Sequence, residues 1–172
     1  SDVAHNLSSL AALYTAMGNY AAAEPLYRQA LEVRRAALGE EHPHFAAALN
    51  NLGKLYRAMG NYAAAEPLHR QALGIIRREL GEAHPYLAAT LSSLAACCVL
   101  LGDYAAAEPL YRQALETRQR ILGAAHADVA TSAHNLAQLY RLMGSYAAAE
   151  PLYQQALAIR RQALGSGHPE VA

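Results

Sequence analysis

Four histidines recur at one position of a regular period in this 172-residue sequence. They are His42, His84, His126 and His168, each 42 residues after the one before. Imidazole is a common metal ligand, so a row of histidines first suggests a metal site. If each histidine belongs to a separate helical unit, neighbours lie roughly 10 Å apart, whereas a zinc–nitrogen bond is only ~2.0 Å long. We therefore expect these histidines to order loops, and we expect no metal or other cofactor.

Two adjacent cysteines, Cys97 and Cys98, are the other reactive pair. Neighbouring residues of a helix point in different directions, so the two thiols are poorly placed to form a disulfide. No basic residue flanks them to activate a thiolate, and free cysteine is commonly buried. No Ser/His/Asp order, glycine-rich phosphate loop or carboxylate pair stands out. We predict that the protein is not an enzyme, and that it resides in a reducing compartment, the cytoplasm.

Charge is balanced, with 14 basic and 14 acidic residues. The chain therefore has no global field that would attract nucleic acid or an anionic membrane. Arginine pairs at 34–35, 77–78 and 160–161 are interleaved with acids, which is typical of solvated helix ends. No segment approaches the ~20 apolar residues needed to cross a bilayer. We predict neither a nucleic-acid nor a membrane partner.

The residues that position these side chains follow an internal repeat. The stretch from Met17, M-G-N-Y-A-A-A-E-P-L-Y-R-Q-A-L, returns with small changes from Met59, Leu101 and Met143. A fixed period of this length indicates stacked supersecondary units. We predict one solenoid domain over residues 1–172, with repeats at about 1–42, 43–84, 85–126 and 127–168, and residues 169–172 beginning a further unit.

Each repeat is predicted to form two helices. In the first copy, one helix runs from about residue 3 to 17 and the second from about 20 to 38. An apolar stripe marks the first helix: Leu7, Leu10, Ala11, Tyr14 and Met17. Gly18 ends that helix and Asn19 caps the next, as Asn61, Asp103 and Ser145 do in the other copies. Ala23 and Ala30 allow the two helices to approach closely.

Two further features of the second helix recur. Glu24 precedes Arg28 by four residues, a favourable spacing that returns as Glu66–Arg70 and Glu108–Arg112. Pro25 lies inside the helix in every copy, where proline removes a backbone donor at a cost of ~3 kcal/mol. We expect a kink or a loosened first turn at this proline rather than two separate helices.

These features resemble the tetratricopeptide repeat family, whose pattern is L-G-x-x-Y, then G-x-Y, then alanine, an aromatic residue and alanine. The second copy carries it as Leu52, Gly53, Tyr56, Gly60, Tyr62, Ala65, His69 and Ala72, with His69 replacing the aromatic residue. The longer period and the L-G-x-x-H-P ending resemble the kinesin light chain subclass. The resemblance implies an all-α protein: a right-handed α-solenoid of four helix-turn-helix units, whose concave groove holds a peptide.

The resemblance also implies that the first helix of each repeat lines the groove. The first-helix positions outside the stripe vary most between copies, which is where a partner-specific surface is expected. The predicted peptide-binding residues are Asn50, Asn51, Lys54, Arg57, Ser92, Ala96, Val99, His134, Asn135, Gln138 and Arg141. The alternative is that these are only solvated surface residues.

The chemistry of this surface suggests a ligand. Lys54, Arg57 and Arg141 are the charged residues in the bodies of the first helices, and none is acidic. The third copy is apolar at the equivalent positions, where it carries Ala89, Ala96 and Val99. We expect a partner segment with acidic residues around a hydrophobic anchor. Amide side chains such as Asn51 both donate and accept hydrogen bonds, which suits a peptide backbone.

A second hypothesis is self-assembly. The chain ends at Ala172, in phase with Ala4, and no polar capping helix follows. A solenoid cut in this way is predicted to leave a complementary apolar face at each end, so that copies can stack head to tail.

Overall fold

A computed structural model describes residues 2–164 of the chain. These residues form helices connected by short turns, in agreement with the predicted all-α, two-helix repeat. The helices are α1 (Asp2–Ala16), α2 (Tyr20–Leu38), α3 (Pro43–Ala58), α4 (Tyr62–Leu80), α5 (Pro85–Leu100), α6 (Tyr104–Leu122), α7 (Ala127–Leu142) and α8 (Tyr146–Leu164).

The turn inside each repeat is built from backbone geometry that glycine allows. Gly18 has φ of 74°, in the left-handed region, and the next backbone N–H, that of Asn19, donates to the Tyr14 carbonyl over 2.8 Å. The Asn19 side chain then accepts a hydrogen bond from the Ala22 N–H at the start of α2. Asn61 and Asp103 cap α4 and α6 in the same way. The predicted stop and cap are therefore confirmed in these repeats.

The turn between repeats explains the histidine row. His42, His84 and His126 are the N-cap residues of α3, α5 and α7. In each, Nδ1 accepts a hydrogen bond from the backbone N–H two residues later, over 3.1–3.2 Å. A ring nitrogen thus takes the part that a serine or aspartate oxygen usually plays at a helix start. The fourth histidine, His168, lies outside the described residues.

The two helices of a repeat meet through alanine. Four alanines near the start of the second helices and four in their middles are at most 3% exposed: Ala23, Ala65, Ala107, Ala149, Ala30, Ala72, Ala114 and Ala156. A small side chain at these positions lets the helix axes approach to ~8–10 Å. The repeated phrase therefore encodes the packing surface of the hairpin.

The contacts divide the chain into two compact units, the first ending at Gly81 and the second beginning at Glu82. In the first unit, α1 packs on α2, α3 packs on α4, and α2 also packs on α3. In the second unit, α5 packs on α6, α7 packs on α8, and α6 also packs on α7. Each unit is thus two helical hairpins joined side by side.

A three-residue link joins neighbouring hairpins in each unit. In the first unit, the Tyr56 hydroxyl on α3 donates to Glu24 Oε1 over 2.9 Å, and Arg28 donates to both residues. Hydrogen bonding from Tyr56, and then from Arg28, lowers the pKa of Glu24.

The second unit repeats this link, with Tyr140 donating to Glu108 over 2.9 Å and Arg112 contacting both. The predicted Glu–Arg pairs therefore exist, and they also bind a tyrosine of the next repeat.

Proline does not interrupt the second helices. The helix α2 is continuous through Pro25, and α4, α6 and α8 each contain the equivalent proline. The proline lacks the N–H that would bond the carbonyl four residues earlier, that of Ala21. Both Pro25 and Ala21 are exposed, so water can hydrate this carbonyl.

The stripe predicted for α1 is only partly buried. Ala11 is fully buried, but Leu10 is 41% exposed and Met17 is 67% exposed. The equivalent of Leu10 in α3, Leu52, is 3% exposed. The difference arises because α3 packs against α2 as well as α4, whereas most of the contacts of α1 are with α2.

We predict that His84→Ala lowers the free energy of unfolding by about 1 kcal/mol, because the Tyr86 N–H loses its acceptor. His84→Asp is the matched control, since it also removes the ring contact with Tyr86 but keeps a capping oxygen. Urea unfolding of both variants measures the difference. Equal destabilisation by alanine and aspartate would contradict the capping role.

Candidate functional site

The predicted residues of the first unit lie on α3. Asn50, Lys54 and Arg57 are spaced i, i+4 and i+7, so they follow one face of this helix, and we call them the α3 strip. Lys54 is exposed, while Asn50, Arg57 and the neighbouring Asn51 are half-buried. All four are therefore positioned at the surface of the first unit.

One residue of the α3 strip, Asn50, contacts a buried histidine that is not among the predicted site residues. His69 on α4 is completely buried, and its Nδ1 lies 2.8 Å from Asn50 Oδ1. Its Nε2 is buried without a hydrogen-bond partner. Tyrosine occupies the equivalent position in the other repeats, as Tyr27, Tyr111 and Tyr153.

Glycine at position 53 makes room for this ring. A Cβ added to Gly53 would lie 2.7 Å from His69 Cε1 and 2.8 Å from Nε2, well inside van der Waals contact. The other repeats have alanine here, as Ala11, Ala95 and Ala137. The histidine ring therefore packs directly on the backbone of α3. The signal in the sequence was the joint change to histidine and glycine within one repeat.

The environment keeps His69 neutral. Burial, and then the positive charges of Arg57 and Lys54, lowers its pKa to about 4. The first unit thus presents two cations beside an amide that is bonded to a neutral imidazole.

The second unit carries the remaining predicted residues on two helices. On α5, Ser92, Ala96 and Val99 are all half-buried, and the Ser92 hydroxyl donates to the Ala88 carbonyl over 2.9 Å. This serine is turned to its own helix. We call these three residues the α5 face, of which Ala96 and Val99 are apolar.

On α7, His134, Gln138 and Arg141 have the same spacing as the α3 strip, and we call them the α7 strip. His134 Nε2 and Gln138 Nε2 are 2.9 Å apart, and the imidazole meets the Tyr153 ring edge-on at 5.4 Å. Burial, and then Arg160, lowers the pKa of His134. Gln138 and Arg141 are exposed, and the adjacent Asn135 is half-buried.

A small pocket lies beside the α5 face. It has a volume of about 210 Å³, and Ala89, Tyr86 and Leu122 are among its lining residues. Arg118 also lines it, donates to Ser132 Oγ over 2.5 Å, and has its pKa lowered by burial. The pocket is therefore a recess next to Ala89, which the sequence predicts to lie on the apolar face of the third copy.

The histidines, acids and cysteines of the described residues were also compared with the arrangements that metal binding and disulfide formation require. Within residues 2–164, no three histidine, cysteine or acidic side chains are grouped so that they could hold a metal ion. Cys97 and Cys98 are both buried and form no disulfide. None of the described helices combines the length and apolarity needed to span a membrane.

The family model of the tetratricopeptide repeat matches residues 2–77, 44–120, 86–162 and 128–172. The chain therefore belongs to the tetratricopeptide repeat family, as the sequence predicted. No curated protein sequence matches it significantly.

The chain is similar in structure to solved kinesin light chain-like proteins. BtubC (BKLC) from P. vanneervenii has a TM-score of 0.84 and 27% identity, over 96% of this chain and 66% of that one. A kinesin light chain-like protein of Podosopora anserina with nearly identical TPR-like repeats has a TM-score of 0.86 and 28% identity, over 97% and 79% of the two chains. The predicted subclass is therefore confirmed, and this chain spans about two thirds of BtubC (66%).

We predict that neutral His69 makes stability depend on pH between about 4 and 6.5. Its folded pKa is below the unfolded value, so the unfolded chain takes up the proton first, and the stabilisation present above pH ~6.5 is lost as the pH falls towards 4. The loss amounts to roughly 3 kcal/mol.

Urea unfolding of the wild type and of His69→Phe across this range isolates the effect, because the other titrating groups are shared. The difference between the two curves should change with pH only in that window. A constant difference would show that His69 is not buried in its neutral form.

Proposed function

We propose that the first-helix faces of this protein bind an extended segment of a protein partner that carries acidic residues around a hydrophobic anchor. Helical-repeat proteins commonly use such faces for binding, and the family and the similar structures support an interaction scaffold. The proposed residues are those of the α3 strip and the α7 strip, together with Asn51, Asn135 and the α5 face.

The observation that carries this proposal is the sign of the charge on the first helices. Lys54 and Arg57 on α3 and Arg141 on α7 are not paired with acids in the ion pairs seen among the described residues. Several arginines of the second helices, by contrast, form an ion pair with a glutamate. They are Arg28, Arg35, Arg70, Arg78 and Arg112. Uncompensated cations on a binding face favour an acidic partner.

The apolar part of the proposed ligand fits the second unit. The α5 face offers Ala96 and Val99, and the neighbouring pocket of about 210 Å³ is lined by Tyr86 and Leu122. A recess of this size suits one large apolar side chain. The charge of Arg141 on α7, in the same unit, would then attract acidic residues of that segment.

We predict that a mixed library of acidic and hydrophobic peptides binds the wild type, and that Arg57→Glu/Arg141→Glu weakens this binding at least tenfold. Raising the salt concentration should also weaken it, because the contacts are largely electrostatic. Fluorescence anisotropy titration measures both effects.

The matched control is Arg35→Glu/Arg161→Glu, which makes the same charge change at exposed positions of α2 and α8. An equal loss in the control would mean that net charge, not the first-helix face, attracts the peptides. Absence of any binding to the wild type would refute the proposed function.

Self-association is a second candidate, and the exposed side of α1 favours it. Leu13 on α1 is 56% exposed, whereas its equivalent Leu55 on α3 is 1% exposed. On α8, Leu157 is 36% exposed, whereas its equivalent Leu115 on α6 is 7% exposed. Within each unit a second helix packs on the first helix of the next repeat, as α2 does on α3 and α6 does on α7. In this second candidate function, α8 of one copy would pack on α1 of another in the same way.

We predict that this 172-residue chain, if it stacks in this way, shows a concentration-dependent sedimentation coefficient that Leu13→Glu and Leu157→Glu each abolish. Mixing the two variants should restore a dimer, because each retains the end that the other lacks. Leu38→Glu, which charges another exposed leucine, is the control. A mixture that stays monomeric would contradict head-to-tail association.

A further inference from the structure

The exposed side of α1 carries the same apolar residues that α7 buries. Val3, Leu10 and Leu13 are 60%, 41% and 56% exposed, and α7 has identical residue types at the equivalent positions. At those positions at most 4% of the side chain is exposed: Val129, Leu136 and Leu139. Both first helices pack on a hairpin partner, but α7 packs on α6 as well. The exposed side of α1 therefore has the composition that packs on a second helix such as α6.

Tyr14 is a polar residue on the same side of α1. It is equivalent to Tyr56 and Tyr140, whose hydroxyls each donate to a glutamate of the preceding second helix over 2.9 Å. The Tyr14 side chain is half-buried, yet its hydroxyl makes no hydrogen bond within residues 2–164. A tyrosine hydroxyl that is partly removed from water usually has a partner. Tyr14 is therefore one half of a link between hairpins, with the other half absent.

The complementary half lies on α8. Glu150 is equivalent to Glu24 and Glu108, the glutamates of the two complete links. Those two side chains are half-buried, whereas Glu150 is exposed. Its Oε1 accepts a hydrogen bond from Gln154 Nε2 over 3.1 Å, and Gln154 occupies the position that arginine has in the complete links. Glu150 is thus held by its own helix, as in the complete links, but bonds to no tyrosine within the described residues.

We propose that α8 of one copy of this chain docks on α1 of a second copy, with the Tyr14 hydroxyl donating to Glu150 across the contact. The inference rests on the second candidate function, self-association, and adds the polar pair that sets its register. The partner is a second copy because the chain carries both surfaces. The helix α1 has the apolar residues of α7, and α8 begins with the same Y-A-A-A-E-P-L-Y as α6. The two surfaces differ, so the contact is head to tail.

The pair sets the register because a hydrogen bond tolerates little displacement. Apolar burial has no preferred direction, so leucines alone allow α8 to slide along α1. A bond from a hydroxyl to a carboxylate needs about 2.5–3.0 Å between the oxygens, and a shift by one helical turn moves them about 5.4 Å apart. Tyr14 and Glu150 therefore select the offset at which two copies continue the packing of α6 on α7.

The link between copies is weaker than the links inside the chain. In the second unit, Arg112 donates to both Glu108 and the Tyr140 hydroxyl, so that a cation closes the link. Gln154 is neutral, and hydrogen bonds from a neutral donor are weaker than those from a guanidinium. An arginine at position 154 should therefore complete the link between copies.

The first test is a double-mutant cycle with Tyr14→Phe and Glu150→Ala, read by the dissociation constant of self-association in sedimentation equilibrium. Each variant of the 172-residue chain should associate about fivefold more weakly, the effect of one lost hydrogen bond to a carboxylate. The double variant should be no weaker than either single one, because the two side chains act on each other. Losses that add would overturn the inference. Tyr86→Phe, at a side chain that is 50% exposed on α5, is the control and should change nothing.

The second test adds the missing cation. Gln154→Arg should tighten self-association about fivefold, and this gain should disappear in the Tyr14→Phe background, because the arginine acts across the contact through the tyrosine hydroxyl. Gln162→Arg adds the same charge at another exposed position of α8 and is the matched control. Equal tightening by both substitutions would overturn the inference, since charge alone would then explain the gain.

The outcomes separate this inference from the candidate function on which it rests. If Leu13→Glu abolishes association while the variants at positions 14, 150 and 154 associate like the wild type, the inference alone fails. A wild type that stays monomeric at every concentration refutes self-association and the proposed link with it. Neither result bears on peptide binding by the first-helix faces, which the anisotropy titration measures separately.

Discussion

Close packing of two helices through alanine is the constraint on which the rest of each repeat depends. Eight alanines of the second helices are almost completely buried, and any larger side chain there would separate the helices. The same phrase must therefore return in every repeat, with glycine to end the first helix and a polar cap to begin the second. Variation is left to the first-helix positions outside the apolar stripe, and that is where the proposed binding residues lie.

Polar side chains also hold neighbouring hairpins together. Tyr56 and Tyr140 each bond to a glutamate–arginine pair on the preceding second helix. An exposed ion pair on one helix contributes little by itself, but a tyrosine from the next repeat turns it into a contact between repeats. These acids and arginines thus hold neighbouring repeats together, whereas Lys54, Arg57 and Arg141 take part in none of the ion pairs seen among the described residues.

Local features of the fold were predictable from sequence, and features that depend on neighbouring repeats were not. The bounds of α2 agree with the prediction because Gly18 and Asn19 act within one turn of the chain. The exposure of Leu10 was not predicted, since burial depends on which helices pack alongside. His69 was noticed only as a substitution for an aromatic residue. Its contact with Asn50 depends on how a ring is placed between two helices, which periodicity does not determine.

The fit of His69 against Gly53 has a consequence for how such an array can change by recombination. A second helix exchanged between repeats would keep its buried alanines, because the repeated phrase is alike in all four copies. A segment that brought alanine to position 53 while leaving His69 in place would put a methyl group within 3 Å of the ring. Gly53 and His69 must therefore be inherited together, although they lie on different helices of the repeat.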